Sequence, residues 1–155
     1  MKLFSTEQIR AWDAYTIEHD PVASVDLMNR AAGAFADWLA RLYPDTERPV
    51  WIFAGTGNNG GDTLVALIEL LRLGWQASAV VFGKEPQLQQ YYDELKASGG
   101  TLHFLDQSDD TQLEKLIEPA SVLLDGIVGT GFKPPLKEST ENYMKRVARH
   151  RGQKK

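Results

Sequence analysis

Two short stretches of this chain concentrate the residues that do chemistry. The first is Ala54–Leu64, Ala-Gly-Thr-Gly-Asn-Asn-Gly-Gly-Asp-Thr-Leu. Glycines let a ligand approach the backbone closely. A helix N-terminus following them offers unpaired N–H groups and a partial positive charge. That is how a phosphate or nucleotide site is built. Asn58 and Asn59 add carboxamides, which present carbonyl oxygens to a cation or amides to phosphate and sugar. Asp62 reads as an acid/base group or simply as the N-cap of the next helix. The second stretch is Asp125-Gly126-Ile127-Val128-Gly129-Thr130-Gly131. Asp125 ends an apolar run, and a carboxylate buried there is costly without compensation. A bound cation or loop N–H donors would offset that cost. Gly129-Thr130-Gly131 offers a second cradle of N–H groups, or a plain turn.

Gly55-Thr56-Gly57-Asn58-Asn59-Gly60 fits G-x-G-x-x-G literally. An ordinary NAD site also places an acid near the end of the second strand. Here that strand ends Val80-Val81-Phe82-Gly83-Lys84, with Glu85 one step late. A dehydrogenase fingerprint is therefore incomplete.

The elements that must position these groups alternate. Ser5-Thr6-Glu7-Gln8 is a capping-box pattern and opens a helix to about His19, with Ile9, Trp12, Ala14 and Ile17 on one face. Pro21 stops it. A second helix from Ser24 to about Leu42 repeats Leu27, Met28, Ala31, Ala32, Phe35, Trp38 and Leu39 at helical spacing. Both helices read as packing elements. Strand-like runs follow at Pro49–Ala54, Gln76–Phe82, Thr101–Leu105 and Ser121–Leu124. Helical patterns lie between them at Asp62–Leu73 (closed by Gly74), Pro86–Ala97 and Asp109–Ile117. A last one covers Glu138–His150, with Tyr143, Met144, Val147 and Ala148 on one side. Such alternation predicts a Rossmann-like, three-layer α/β/α fold with a mainly parallel sheet and two N-terminal helices. In strand order 3-2-1-4 the loops after strands one and four flank one crevice. Asn58–Asp62 and Asp125–Gly131 would then lie side by side.

Composition narrows the class. The chain has 155 residues, 43% hydrophobic and 25% charged, the balance of one globular domain. It has no cysteine and three scattered histidines, which excludes disulfides and cysteine zinc sites. No run approaches membrane-spanning length, and a cytoplasmic protein without a membrane partner is expected. The net charge is −4, yet residues 137–155 carry seven Lys/Arg against two Glu. This end reads first as a solvated tail, and no nucleic-acid partner is expected.

Four segments, in order, resemble the NAD(P)H-hydrate epimerase family, also called the YjeF N-terminal domain. They are Gln8-Ile9-Arg10…Asp13…Thr16-Ile17, Ser24…Leu27-Met28-Asn29-Arg30-Ala31-Ala32, Gly55–Asp62 and Asp125–Gly131. The resemblance covers about residues 5–136, leaving 137–155 as a basic tail or short helix. It implies an isomerase of nicotinamide nucleotide repair, interconverting the R and S epimers of hydrated NADH and NADPH for a partner dehydratase. It implies substrate contacts at Asn58, Asn59, Gly60, Gly61, Asp62, Gly129, Thr130, Gly131, Phe132, Lys133, Pro134 and Pro135. It also implies potassium ligation by Asn59 and Asp125, and a homodimer. Asp125 and Asp62 are the acid/base candidates, Asp125 the stronger.

Two departures stand beside the resemblance. Thr63 occupies a position where the family usually has glycine, and its branched side chain threatens to crowd the loop. The family also continues into a strand with an Asp-Ile-Pro-Ser-Gly segment, which supplies a substrate-contacting Asp and a potassium-contacting Ser. Nothing after Lys137 matches it, so the C-terminal part of the family fold is expected to be missing. The edge of strand four should then be open, or covered by the last helix through Tyr143, Met144 and Val147. The competing reading is a non-catalytic nucleotide-binding or dimerisation scaffold of the same fold.

Overall fold

The structure is a computed structural model that describes residues 3–20, 23–105, 113, 115–116, 118–136 and 138–153. Helix α1 (Thr6–His19) starts at the expected capping box. The Gln8 amide donates to Ser5 Oγ at 3.3 Å, and the Ser5 amide donates to Gln8 Oε1 at 2.8 Å. The packing role expected of this helix is not borne out, because it buries no residue. Helix α2 (Ser24–Leu42) does pack. Its buried residues are Ala32, Ala36 and Leu39, while Phe35 and Trp38 turn outward.

Strands β1 (Val50–Ala54), β2 (Ala77–Val81), β3 (Thr101–Phe104) and β4 (Val122–Gly126) form one sheet in the order β3-β2-β1-β4, parallel throughout. This is the predicted order. β1 is buried at every residue, as a continuous apolar run in a central parallel strand should be. Helix α3 (Asn58–Arg72) follows β1. A 3₁₀ turn at Pro86–Leu88 leads into α4 (Gln89–Ala97), and Gly74 and Gly99 take positive φ at the helix ends. The helix expected at Asp109–Ile117 falls largely outside the described residues.

Alternation along the strands divides the core. Val50, Ile52 and Ala54 join Ala77, Ala79 and Val81 in the cluster beneath α2, α3 and α4. Trp51, Phe53 and Val80 face the other way, with Leu105, Leu113, Ala120 and Tyr143. Tyr143 comes from α5 (Glu138–Gln153) and meets the Phe82 ring edge-on at 4.5 Å. The last helix therefore covers the second face of the sheet, in contrast to the edge cover expected for it. Its apolar side, Tyr143 and Val147, belongs to the cluster that also holds Trp51, Phe53 and Phe82. Among the described residues β4 pairs only with β1, and no helix is long and apolar enough to cross a membrane.

Candidate functional site

The first correction at the site concerns where α3 begins. Its N-cap is Gly57, with no side-chain cap, so Asn58 and Asn59 open the helix. Asp62 lies in its second turn and caps nothing. Glycine-rich sequence is a poor helix former, but at position 60 packing demands glycine. A Cβ on Gly60 would lie 2.0 Å from the Gly55 carbonyl oxygen, and one on Gly61 would lie 3.3 Å from Leu88 Cδ2. Both glycines are buried, while Asn58 and Asp62 are exposed and Asn59 is half-buried.

The loops after β1 and β4 meet as expected, and they meet in hard contact. The Gly55 amide donates to the Gly126 carbonyl at 3.1 Å. A Cβ on Gly55 would come 2.1 Å from the Ile127 oxygen, and one on Gly129 would come 2.7 Å from Asn59 Cβ. Asn59 Nδ2 donates to the Val128 carbonyl at 3.1 Å. One carboxamide thus ties α3 to the second loop. Thr63 does not crowd its own loop: its hydroxyl donates back to the Asn59 carbonyl. Its crowding falls on β4, where a Cβ on Gly126 would come 1.8 Å from Thr63 Oγ1.

Asp125 was expected to be buried, and it is exposed. It pairs in register with Phe53 at the rim of the sheet, where the strand ends and water reaches the carboxylate. The Ile127 amide donates to its Oδ1 at 3.0 Å, which is the loop-donor alternative for its compensation. Gly129, Thr130, Gly131, Phe132, Lys133, Pro134 and Pro135 are all exposed. The Phe132 amide donates to the Gly129 carbonyl at 3.1 Å, which closes a turn around the three residues of the expected anion cradle. Among the described residues no hydrogen bond or ion pair joins Lys133 to α3.

Helix α1 supplies what the spacing did not reveal. Arg10 reaches across to donate to the Thr130 carbonyl at 2.7 Å. One turn along, the Asp13 carboxylate acts on Asp62, whose pKa is raised first by desolvation and then by this like charge. Arg10 and Asp13 are three residues apart and so share a helix face. That much was available in the sequence; what the face meets was not.

The donor chemistry bears on a bound ion. Asn59 Oδ1, the second oxygen of Asp125 and nearby carbonyls are all oxygen donors, with a single carboxylate among them. Such a set fits a weakly charged, oxygen-ligated cation better than a transition metal. Among the described residues no three His, Cys, Asp or Glu side chains gather around one point.

A family described as YjeF-related protein N-terminus matches residues 24–155, a span that runs through α5. The NAD(P)H-hydrate epimerase of Limosilactobacillus reuteri is 29% identical over 137 residues, which are 88% of this chain and 62% of that protein. The Saccharomyces cerevisiae NAD(P)H-hydrate epimerase is 29% identical over 79% of this chain and 54% of its own. A bifunctional NAD(P)H-hydrate repair enzyme of Hyperthermus butylicus is 31% identical over 77% of this chain and 24% of its own. The chain thus spans under two thirds of the length of these relatives. A crystal structure of the yeast protein ynu0 (YNL200c) superposes with a TM-score of 0.84 at 22% identity, covering 98% of this chain and 67% of that one, which establishes the shared fold. With a profile that runs from the second helix to the end, the chain belongs to the YjeF-related N-terminal family.

Proposed function

We propose that this chain is an NAD(P)H-hydrate epimerase domain, interconverting the R and S forms of hydrated NADH and NADPH. The observation that carries the reading is the junction of the two loops. Asn59 spans from α3 to Val128 at 3.1 Å, and the two elements it joins carry the carboxylates of Asp62, on α3, and Asp125, at the end of β4. Epimerisation at the hydrated carbon requires the C–O bond to break, a cationic iminium-like ring to survive briefly, and water to return on the other face. A carboxylic acid delivers a proton to the departing hydroxyl and takes one from the returning water. Asp62 suits that role because partial desolvation of its carboxyl group, where the α3 end packs against its neighbours, and the like charge of Asp13 favour its protonated form. Asp125, held by the Ile127 amide, suits charge stabilisation near the cationic ring. Potassium is read as the resident ion, held by Asn59 and Asp125. Bound there it would supply fixed positive charge that orders both loops around the nucleotide phosphates. Asn58, Gly60 and Gly61 line the α3 end of the site, and residues 129–135 line the other. The substrate pool is cytoplasmic in this reading, and the bifunctional relative's name supports a link to a dehydratase.

Association into a homodimer fits an exposed apolar surface. Trp12 is 60% and Trp38 52% exposed, with Phe4 and Tyr15 similarly open. Patches of that kind mark interaction sites. Mass in solution should rise with concentration, and Trp12→Ala with Trp38→Ala should abolish the rise. The same surface would serve a non-catalytic dimerisation scaffold, so activity decides between the two readings. The decisive assay supplies R-form hydrated NADPH, potassium and an S-specific dehydratase, and follows NADPH recovery. No acceleration over the spontaneous rate would sink the epimerase reading. Asn59→Ala and Asp125→Ala should each abolish the acceleration; if neither does, the site lies elsewhere.

A further inference from the structure

Helix α1 poses a puzzle that the rest of the fold does not. It is capped at its start and fully formed, yet it buries no side chain. An amphipathic helix is normally held by its buried face. This one reaches the substrate-side loops instead. Arg10 donates to the Thr130 carbonyl at 2.7 Å, a contact between residues 120 positions apart. The receiving loop is otherwise thinly held. Gly129, Thr130 and Gly131 are exposed, and the turn closes on itself through the Phe132 amide and the Gly129 carbonyl at 3.1 Å. Its upstream anchor is Asn59 on Val128 at 3.1 Å.

We propose that Arg10 is a positioning residue: from α1 it fixes the Thr130 carbonyl, and with it the turn at Gly129–Phe132, so that α1 forms a third wall of the nucleotide site. Two side chains from different elements then grip carbonyls two residues apart, Asn59 on Val128 and Arg10 on Thr130. A guanidinium suits the outer grip because it stays charged and donates from a planar fork. With both grips in place, the amides of an exposed glycine turn are held ready for the ligand, and less ordering is left for the binding step. Asp13, on the same face of α1, lies near enough to Asp62 to act on its charge, so the helix meets both halves of the site.

This inference rests on the epimerase reading for its kinetics but not for its structural readout. Arg10→Ala should raise KM for hydrated NADPH by roughly tenfold, the scale of one lost charge-assisted hydrogen bond, with kcat changed much less. Arg10→Lys should recover part of the loss. Hydrogen exchange read on wild type and Arg10→Ala should speed up in peptides covering 128–136 and stay unchanged in α3. Glu18→Ala, elsewhere on α1, should alter neither measurement. If the wild-type chain is inactive, the epimerase reading fails while the exchange result still tests the grip. Unchanged exchange at 128–136 in Arg10→Ala overturns the proposal, as does a kcat loss with KM intact.

Discussion

Replacing Gly60 with alanine should destabilise the protein, although Gly60 lies in the first turn of a helix. In an open helix position, Gly→Ala gains about 1 kcal/mol, because glycine loses more backbone freedom on folding. At Gly60 the added methyl would lie 2.0 Å from the Gly55 carbonyl oxygen, at least 1 Å inside the 3.0 Å floor for such contacts. The obstacle is backbone, so no rotamer change relieves it. Either the α3 end or the Gly55 turn must move by about that distance. Overpacking of this kind costs about 1–3 kcal/mol and occasionally more, which outweighs the helix gain. A net loss near 1 kcal/mol corresponds to a Tm about 2–4 °C lower in a domain of this size. Gly33 in α2 provides the internal standard, since nothing lies within 4 Å of its added methyl. Gly33→Ala should raise Tm by about 1–4 °C. Calorimetry of the two variants against wild type makes the test. Tm rising equally in both would refute the contact between α3 and the first loop, and with it the demand for glycine at position 60.

Three further outcomes follow from the same packing. Tyr143 is 3% exposed in the second core layer, and Tyr143→Ala should cost about 3 kcal/mol in urea unfolding; a loss below about 1 kcal/mol would mean that α5 is dispensable to that layer. His103 stacks on Trp51 at 5.4 Å and its pKa is lowered by burial. The folded state then holds fewer protons than the unfolded one, so stability should fall as pH drops below 6.5 toward the lowered value, and should be fully present above it. His103→Gln should remove that slope, read from urea midpoints across the range. Asp62 works in the opposite sense: its raised pKa makes stability fall as pH climbs above the ordinary 3.8. Asp13→Asn should shrink that fall and move the alkaline limb of kcat/KM, where the Asp62 acid is lost, to lower pH; an unmoved limb would separate Asp13 from the proton-transfer step.

The sheet was legible because its strands are short apolar runs and its connections are regular. β1 reads as Val-Trp-Ile-Phe-Ala and is buried at every position, and the alternation of strands and helices suggests the Rossmann-like order 3-2-1-4. The start of α3 was not legible. Asn58 to Gly61 has a loop's composition yet is helical, and the close approach of Gly60 to the Gly55 backbone is something that only the fold creates. The same holds for α1. Its apolar spacing forecasts burial, but Trp12 and Tyr15 are exposed and its polar face makes the contact instead. Asp125 was placed correctly along the chain but wrongly in depth. An apolar run does not disclose that its last residues reach the rim of the sheet, where a carboxylate stays hydrated.

The pairing of Val50 with Val122 also carries a kinetic consequence. β1 finds β2 after a crossover of under thirty residues, while β4 returns to β1 across some seventy. Closing the longer loop costs more entropy, and it is repaid only when the strand docks. Non-local parallel pairings of this kind form late in folding. The first three strands and their helices can therefore assemble while the loop beginning at Asp125 is still apart from Asn59. On that order of events the junction of the two glycine-rich loops forms only after the three-strand core, and it opens when β4 lets go.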